Sequence, residues 1–317
     1  MNRKPKGIIY PKANRINFVE LTPLPLGPSD VRVRTLATSI TPGVERFVLT
    51  GKSITSKEIK FPVLSGSELV GEVIEIGSNV IDVEVGDYVF VHRVENWLEL
   101  TPLFGCQAEY VIANQAHVIP IRRQPEEKDI LIGLVAYAIS AVKKLNLESI
   151  ERILILGLGS VGLMLTEYLG YKGFTAVDAC EKYQTRGLLA AAKDIAFDIL
   201  DFPSDYHERY DVIIETTGRL LLLEQAMKML KPRGTFLLVG NYDEMKLDYR
   251  LIQDKEPIFV TSICTSDDDF FEAKYLLSED ALPVEKFLTH RFPVSEYEQA
   301  YDVALNRADA IKTVLVW

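Results

Sequence analysis

Three glycines within six residues, Gly157-Leu158-Gly159-Ser160-Val161-Gly162, are the clearest chemical signal in this chain. An apolar run, residues 153–156, leads straight into them, and an apolar helical stretch, residues 163–169, follows at once. A bare G-x-G-x-x-G is weak evidence. A strand before it and a helix after it supply what a pyrophosphate needs, namely backbone N–H groups at a helix N-terminus with no side chain in the way. Gly157 permits the turn, Gly159 the close approach of backbone to phosphate, and Gly162 the packing of helix on strand, with Ser160 and Val161 in the same loop. The next strand is expected to end in an acid that binds the adenosine ribose. Asp178 falls inside that run and Glu181 closes it, so Glu181 takes the role. A carboxylate there repels a 2′-phosphate, which favours NAD(H), while the neighbouring Lys182 and Arg186 leave NADP(H) as the alternative. Thr217, Gly218, Val239 and Gly240 end later strands, at the sheet edge where doubly wound folds bind ligands.

The elements around these residues fall into two patterns. Short apolar and β-branched runs at 31–35, 69–76, 88–92, 110–112 and 118–121, separated by Pro- and Gly-rich turns, read as a small β-barrel. From Glu126 the period changes to helical over 130–145, and strand candidates at 153–156, 175–180, 212–215, 235–239 and 258–263 alternate with helical stretches at 185–193 and 220–230. That alternation is an α/β fold with a parallel, doubly wound sheet.

Composition removes several function classes. The 317 residues are 48% apolar and 25% charged without a biased tract, which fits an ordinary globular chain of two domains. A net charge of −10 has the wrong sign for a nucleic-acid binder. No apolar stretch approaches the roughly 18 residues of a membrane helix, and the first ten residues lack the apolar core of a signal peptide. Three cysteines, Cys106, Cys180 and Cys264, fit a reducing compartment better than a disulfide framework. The expectation is a cytoplasmic protein acting on a small molecule.

Over nearly its whole length the chain resembles the medium-chain dehydrogenase/reductase family. The resemblance is carried by Gly71-Glu-Val-Ile-Glu-Ile-Gly77, Val85-Gly-Asp-Tyr-Val89, the Gly157–Gly162 phrase, Glu215-Thr-Thr-Gly218, Gly234-Thr-Phe-Leu-Leu-Val-Gly240 and Ile311-Lys-Thr-Val-Leu315. It implies a GroES-like barrel built from both termini, residues 1–122 and 285–317, and a Rossmann dinucleotide-binding domain over 123–284. It also implies a homodimer, formed by pairing the edge strand near 258–263. Lys312 matches the basic residue that in the family reaches the pyrophosphate. Where zinc-using members carry their ligands this chain has Thr41, Ser67 and Gly133, none of which is a Cys, His or carboxylate. The four-cysteine zinc lobe is absent too, so no metal is expected. The phrase Ser39-Ile-Thr41-Pro-Gly43-Val-Glu45 is most similar to a zinc-free branch that includes the bacteriochlorophyllide dehydrogenases.

Without a metal, hydrogen-bond donors must stabilise the oxygen that gains charge in hydride transfer. Thr41 is the first candidate and Tyr137 the second, with Ser39, Ser67 and His92 nearby in the alignment; Glu45 is expected to face the substrate. The implied reaction is hydride transfer between a nicotinamide and a carbonyl, secondary alcohol or activated double bond. The alternative is a dinucleotide-binding sensor or structural protein without turnover.

Overall fold

The computed structural model describes residues 3–54, 58–121, 123–196, 206–219, 221–242 and 244–317. Arg122, at the expected first domain boundary, and Leu220, at an expected helix start, lie outside them. The N-terminal part forms strands β1 (Lys6–Tyr10), β2 (Asn17–Glu20), β3 (Asp30–Ile40), β4 (Val63–Leu64), β5 (Leu69–Ile76), β6 (Tyr88–Val91), β7 (Thr101–Pro102), β8 (Tyr110–Asn114) and β9 (Val118–Pro120). One helix, α1 (Pro42–Leu49), follows β3. Helix α2 (Ile132–Val142) then leads to β10 (Ile153–Leu156), α3 (Ser160–Tyr171), β11 (Val177–Cys180), α4 (Gln184–Gly187), β12 (Ile195–Ala196) and β13 (Tyr210–Glu215). Next come α5 (Leu221–Met227), β14 (Leu230–Leu238), α6 (Tyr249–Lys255), β15 (Ile258–Thr261) and α7 (Asp267–Ser278). The chain ends with β16 (Leu288–Pro293), α8 (Tyr297–Asn306) and β17 (Lys312–Val316).

Two compact units result, Met1–Gly133 with Leu288–Trp317, and Leu134–Phe287. The first is a GroES-like β unit. Its larger sheet runs β16-β17-β3-β5-β6-β9, with β8 also on β3, and a smaller one runs β2-β1-β4-β7. Alternation along β3 buries Val31, Val33 and Thr35 against Leu69, Val73, Val89, Val91 and Val111, since successive side chains of a strand point to opposite faces. A second cluster, with Ile8, Tyr10, Ile40, Val48, Tyr301 and Leu315, seats α8 on the sheet. Strands β1 and β2 lie outside the sequence pattern; β2 is only partly buried and its apolar signal is short.

The second unit is a Rossmann-type parallel sheet in the order β12-β11-β10-β13-β14-β15. Strand β10 is buried at every residue, as a parallel strand covered on both faces must be. The helix expected over 185–193 is only one turn, Gln184–Gly187. Among the described residues no helix is long and apolar enough to cross a membrane. Among the described residues no disulfide forms; Cys106 is buried and Cys264 exposed.

Candidate active site

In the second unit the glycine phrase folds into a tight loop between β10 and α3. Gly157 has φ +93°, in the left-handed region, and a Cβ on it would fall 2.5 Å from the Thr217 methyl. At Gly162 a Cβ would lie 2.0 Å from the Gly157 carbonyl oxygen, which only glycine tolerates. Gly159, the N-cap of α3, faces open space, a Cβ there meeting nothing within 4 Å, at the helix end whose first-turn N–H groups, including those of Ser160 and Val161, have no intrahelical partner. The Thr216 hydroxyl pins the loop by donating toward the carbonyls of Leu156 and Gly157, both at 2.9 Å.

Glu181 lies directly beside this loop. Its carboxylate accepts from the Leu158 N–H at 2.7 Å and from the Tyr183 N–H at 3.0 Å. Asp178 sits within β11, fully buried, where it accepts from the Tyr210 hydroxyl at 2.8 Å and lies near Arg152 and Arg209. Lys182 and Arg186 both stand against the Tyr183 ring, at 4.5 and 5.0 Å. Thr217 and Gly218 follow β13, and Val239 and Gly240 follow β14. A residue not singled out for this role in the sequence, Glu215, organises them. Its buried carboxylate accepts from the N–H groups of Thr217 at 2.7 Å and Gly218 at 3.0 Å, and from the hydroxyls of Thr217 and Tyr242. The signal in the sequence is an acid ending an apolar strand, as Glu181 also does.

Tyr137 belongs to the same unit. Its hydroxyl sits between two backbone carbonyls, Ser262 at 2.7 Å and Val239 at 3.0 Å. A phenol has one proton to give, and here both neighbours are acceptors. The donor expected for a substrate is thus spent on tying α2 to the ends of β14 and β15, and burial pushes its pKa up.

In the first unit, strand register builds a second cluster. Thr313 pairs with Ile40 across β17 and β3, which sets Lys312 beside Thr41. Thr38 pairs with Leu69 across β3 and β5, which sets Glu68 beside Ser39. The Lys312 ammonium is fully buried, donates to Thr41 Oγ1 at 2.8 Å and pairs with the Glu68 carboxylate. Ser39 donates to Glu68 as well. A Cβ on Gly133 would lie 3.4 Å from Glu68 Cγ, so Thr41 and Gly133, two of the three positions aligned with zinc ligands, meet around this ion pair. Lys312, expected at a pyrophosphate, instead directs its amine at Glu68 and Thr41.

Glu45 turns inward. It is buried, accepts from the Ser65 hydroxyl at 2.7 Å and from the Tyr10 hydroxyl, and burial raises its pKa. The side chain expected to face a substrate faces the core instead, because α1 packs that side on β1. His92 packs edge-on to His117, and burial lowers its pKa to about 3, so it stays neutral. Ser67 is half-buried beside Glu68 in sequence. Among the described residues no group of three or more His, Cys, Asp or Glu side chains is arranged to hold a metal ion.

The alcohol dehydrogenase GroES-like domain matches residues 27–123, and the glucose dehydrogenase C-terminus matches residues 135–316, more than half of the chain. The chain belongs to the medium-chain dehydrogenase/reductase family. Among its relatives, D-arabinitol dehydrogenase 1 of Uromyces fabae is 25% identical over 84% of each chain. The 2-desacetyl-2-hydroxyethyl bacteriochlorophyllide A dehydrogenase of Cereibacter sphaeroides is 24% identical over 92% of this chain and 91% of its own. A solved short chain alcohol dehydrogenase from E. coli, complexed with the cofactor NADH, superposes with a TM-score of 0.85 at 19% identity over all of both chains.

Proposed function

We propose that this family member is a nicotinamide-dependent oxidoreductase that moves a hydride between the cofactor and a small secondary alcohol or its carbonyl, without zinc. The observation that carries it is the glycine cradle, where a side chain at Gly162 would strike the Gly157 carbonyl at 2.0 Å and Gly159 opens the start of α3. Such a cradle fits a dinucleotide pyrophosphate, held by the N–H groups of residues 159–162. Glu181 would sit at the adenosine ribose, and Thr217, Gly218, Val239 and Gly240 would border the nicotinamide half. A nicotinamide held by these residues would supply the hydride acceptor for alcohol oxidation, with the hydroxyl proton released to solvent.

Zinc does not fit the donor set. Thr41, Ser67 and Gly133 supply two neutral hydroxyls and a hydrogen, whereas a catalytic zinc needs about three Cys, His or carboxylate ligands. The adjacent carboxylate, Glu68, is already matched by a cation, Lys312. Two relatives are named D-arabinitol dehydrogenase 1 and 2-desacetyl-2-hydroxyethyl bacteriochlorophyllide A dehydrogenase, names that pair a dehydrogenase with a hydroxyl-bearing compound and so support an alcohol over an activated double bond. Similarity to the zinc-free branch through residues 39–45 supports the same reading. We place the protein in the cytoplasm as a homodimer paired through β15.

The test is turnover of purified protein with NAD+ and NADP+ against secondary alcohols and alditols, and with NADH against ketones, enones and quinones, alongside elemental analysis. Alcohol oxidation with less than stoichiometric zinc is the expected result. Tight NADH binding with no turnover of any compound selects the silent sensor instead, and about one zinc per chain overturns the metal-free reading.

A further inference from the structure

We propose that Lys312 is a positioning residue, a built-in cation that fixes Thr41 as the hydrogen-bond donor to the substrate oxygen. The proposal rests on the dehydrogenase reading and deepens it. An ammonium only donates, so at 2.8 Å Thr41 Oγ1 has to accept from it, and the threonine's own proton turns elsewhere. Thr41 is also the N-cap of α1, where a threonine oxygen ordinarily accepts from a first-turn N–H. It makes no such bond. Among the described residues no acceptor takes its proton, and the side chain is half-buried rather than sealed in. Ser39, two residues earlier, shows the contrast, since it is buried and spends its proton on Glu68.

Glu68 anchors the arrangement by accepting from both Ser39 and Lys312, which holds the ammonium behind Thr41. A cation behind a hydroxyl polarises the O–H outward. It therefore stabilises negative charge growing on any oxygen bound to that hydroxyl. Lys312 is wholly buried, so it acts through Thr41 and does not itself touch substrate.

The first experiment is a double-mutant cycle in the full chain with Thr41→Val, Lys312→Met and the pair, using the best secondary alcohol from the panel. Each single change is expected to lower kcat about 10²-fold. The pair should fall no further than Thr41→Val, with NADH affinity unchanged throughout. Losses that multiply in the pair overturn the proposal. So does weakened NADH binding in Lys312→Met, the result if the amine served the pyrophosphate. Should Lys312→Met not fold, Lys312→Met/Glu68→Gln, which removes both charges together, takes its place in the cycle.

A second experiment needs no turnover, so it still decides if the dehydrogenase reading itself fails. Thr41→Cys/Ser67→His/Gly133→Cys is made with Lys312 kept and with Lys312→Met, and zinc is counted by elemental analysis. Zinc is expected only where the lysine is gone. Equal zinc in both proteins overturns the premise that the Lys312 ammonium, paired with Glu68, occupies the space around which the aligned ligand positions meet.

Discussion

Lys312 Nζ and Thr41 Oγ1 lie 2.8 Å apart although 271 positions separate them in the chain. The ammonium is buried, and its partner Glu68 is nearly so. Breaking a buried pair by removing one partner leaves an uncompensated charge and costs about 3–5 kcal/mol. Glu68→Ala is therefore expected to lower the thermal midpoint sharply, and Glu68→Gln/Lys312→Met to recover much of the loss. Calorimetric melting of the three proteins checks this; a Glu68→Ala protein as stable as wild type would mean that the pair is not desolvated.

Tyr137→Phe is expected to act on stability and not on chemistry. It removes one hydroxyl that donates between the Ser262 and Val239 carbonyls, worth about 1 kcal/mol. The melting temperature should fall modestly while kcat on the best substrate stays near wild type. A loss of about 10²-fold in kcat would restore Tyr137 as the substrate's donor.

For the cofactor, NADH should bind more tightly than NADPH, and Glu181→Ala should narrow the ratio by removing repulsion of the 2′-phosphate. Both affinities should also drop, because the same carboxylate holds the Leu158 and Tyr183 N–H groups and thereby the loop. Titration calorimetry with both cofactors decides. A wild type that prefers NADPH would assign the reading to Lys182 and Arg186 at the Tyr183 ring.

Glu45 gives a pH signature. Burial raises its pKa in the folded chain above the unfolded 4.5, so the folded state holds the proton more tightly. Its contribution to stability is then full below pH 4.5 and is lost as pH rises through the folded value. Glu45→Gln, which stays neutral, should match wild type in melting temperature at pH 4 and gain on it steadily toward pH 8. A constant offset at every pH would show that folding leaves the Glu45 pKa unshifted.

Strand β15 ends the parallel sheet, its outer edge paired with no strand among the described residues, and Ile258 within it and Ile263 just after it are exposed. Open apolar edges favour pairing with another copy. Light scattering at micromolar concentration is expected to give the dimer mass, and Ile258→Lys to shift it toward monomer. Monomer alone in the wild type would contradict the pairing.

Local chemistry made the second unit readable from sequence. Gly157, Gly159 and Gly162 are fixed by steric limits that act within six residues, and Glu181 follows because a parallel strand must end beside that loop. The alternation of β3 and the continuous apolar run of β10 likewise carry their own period. What sequence could not decide is where side chains at strand ends point. Lys312, Thr41 and Glu68 come together only because two ladders set the register of β17 and β5 on either side of β3. Register depends on how whole faces pack, and a slip of one residue would turn each of these groups to the opposite face. The same holds for Glu45 and Tyr137, whose types suggested chemistry and whose tertiary neighbours, Tyr10 with Ser65 and two backbone carbonyls, hold them in the framework.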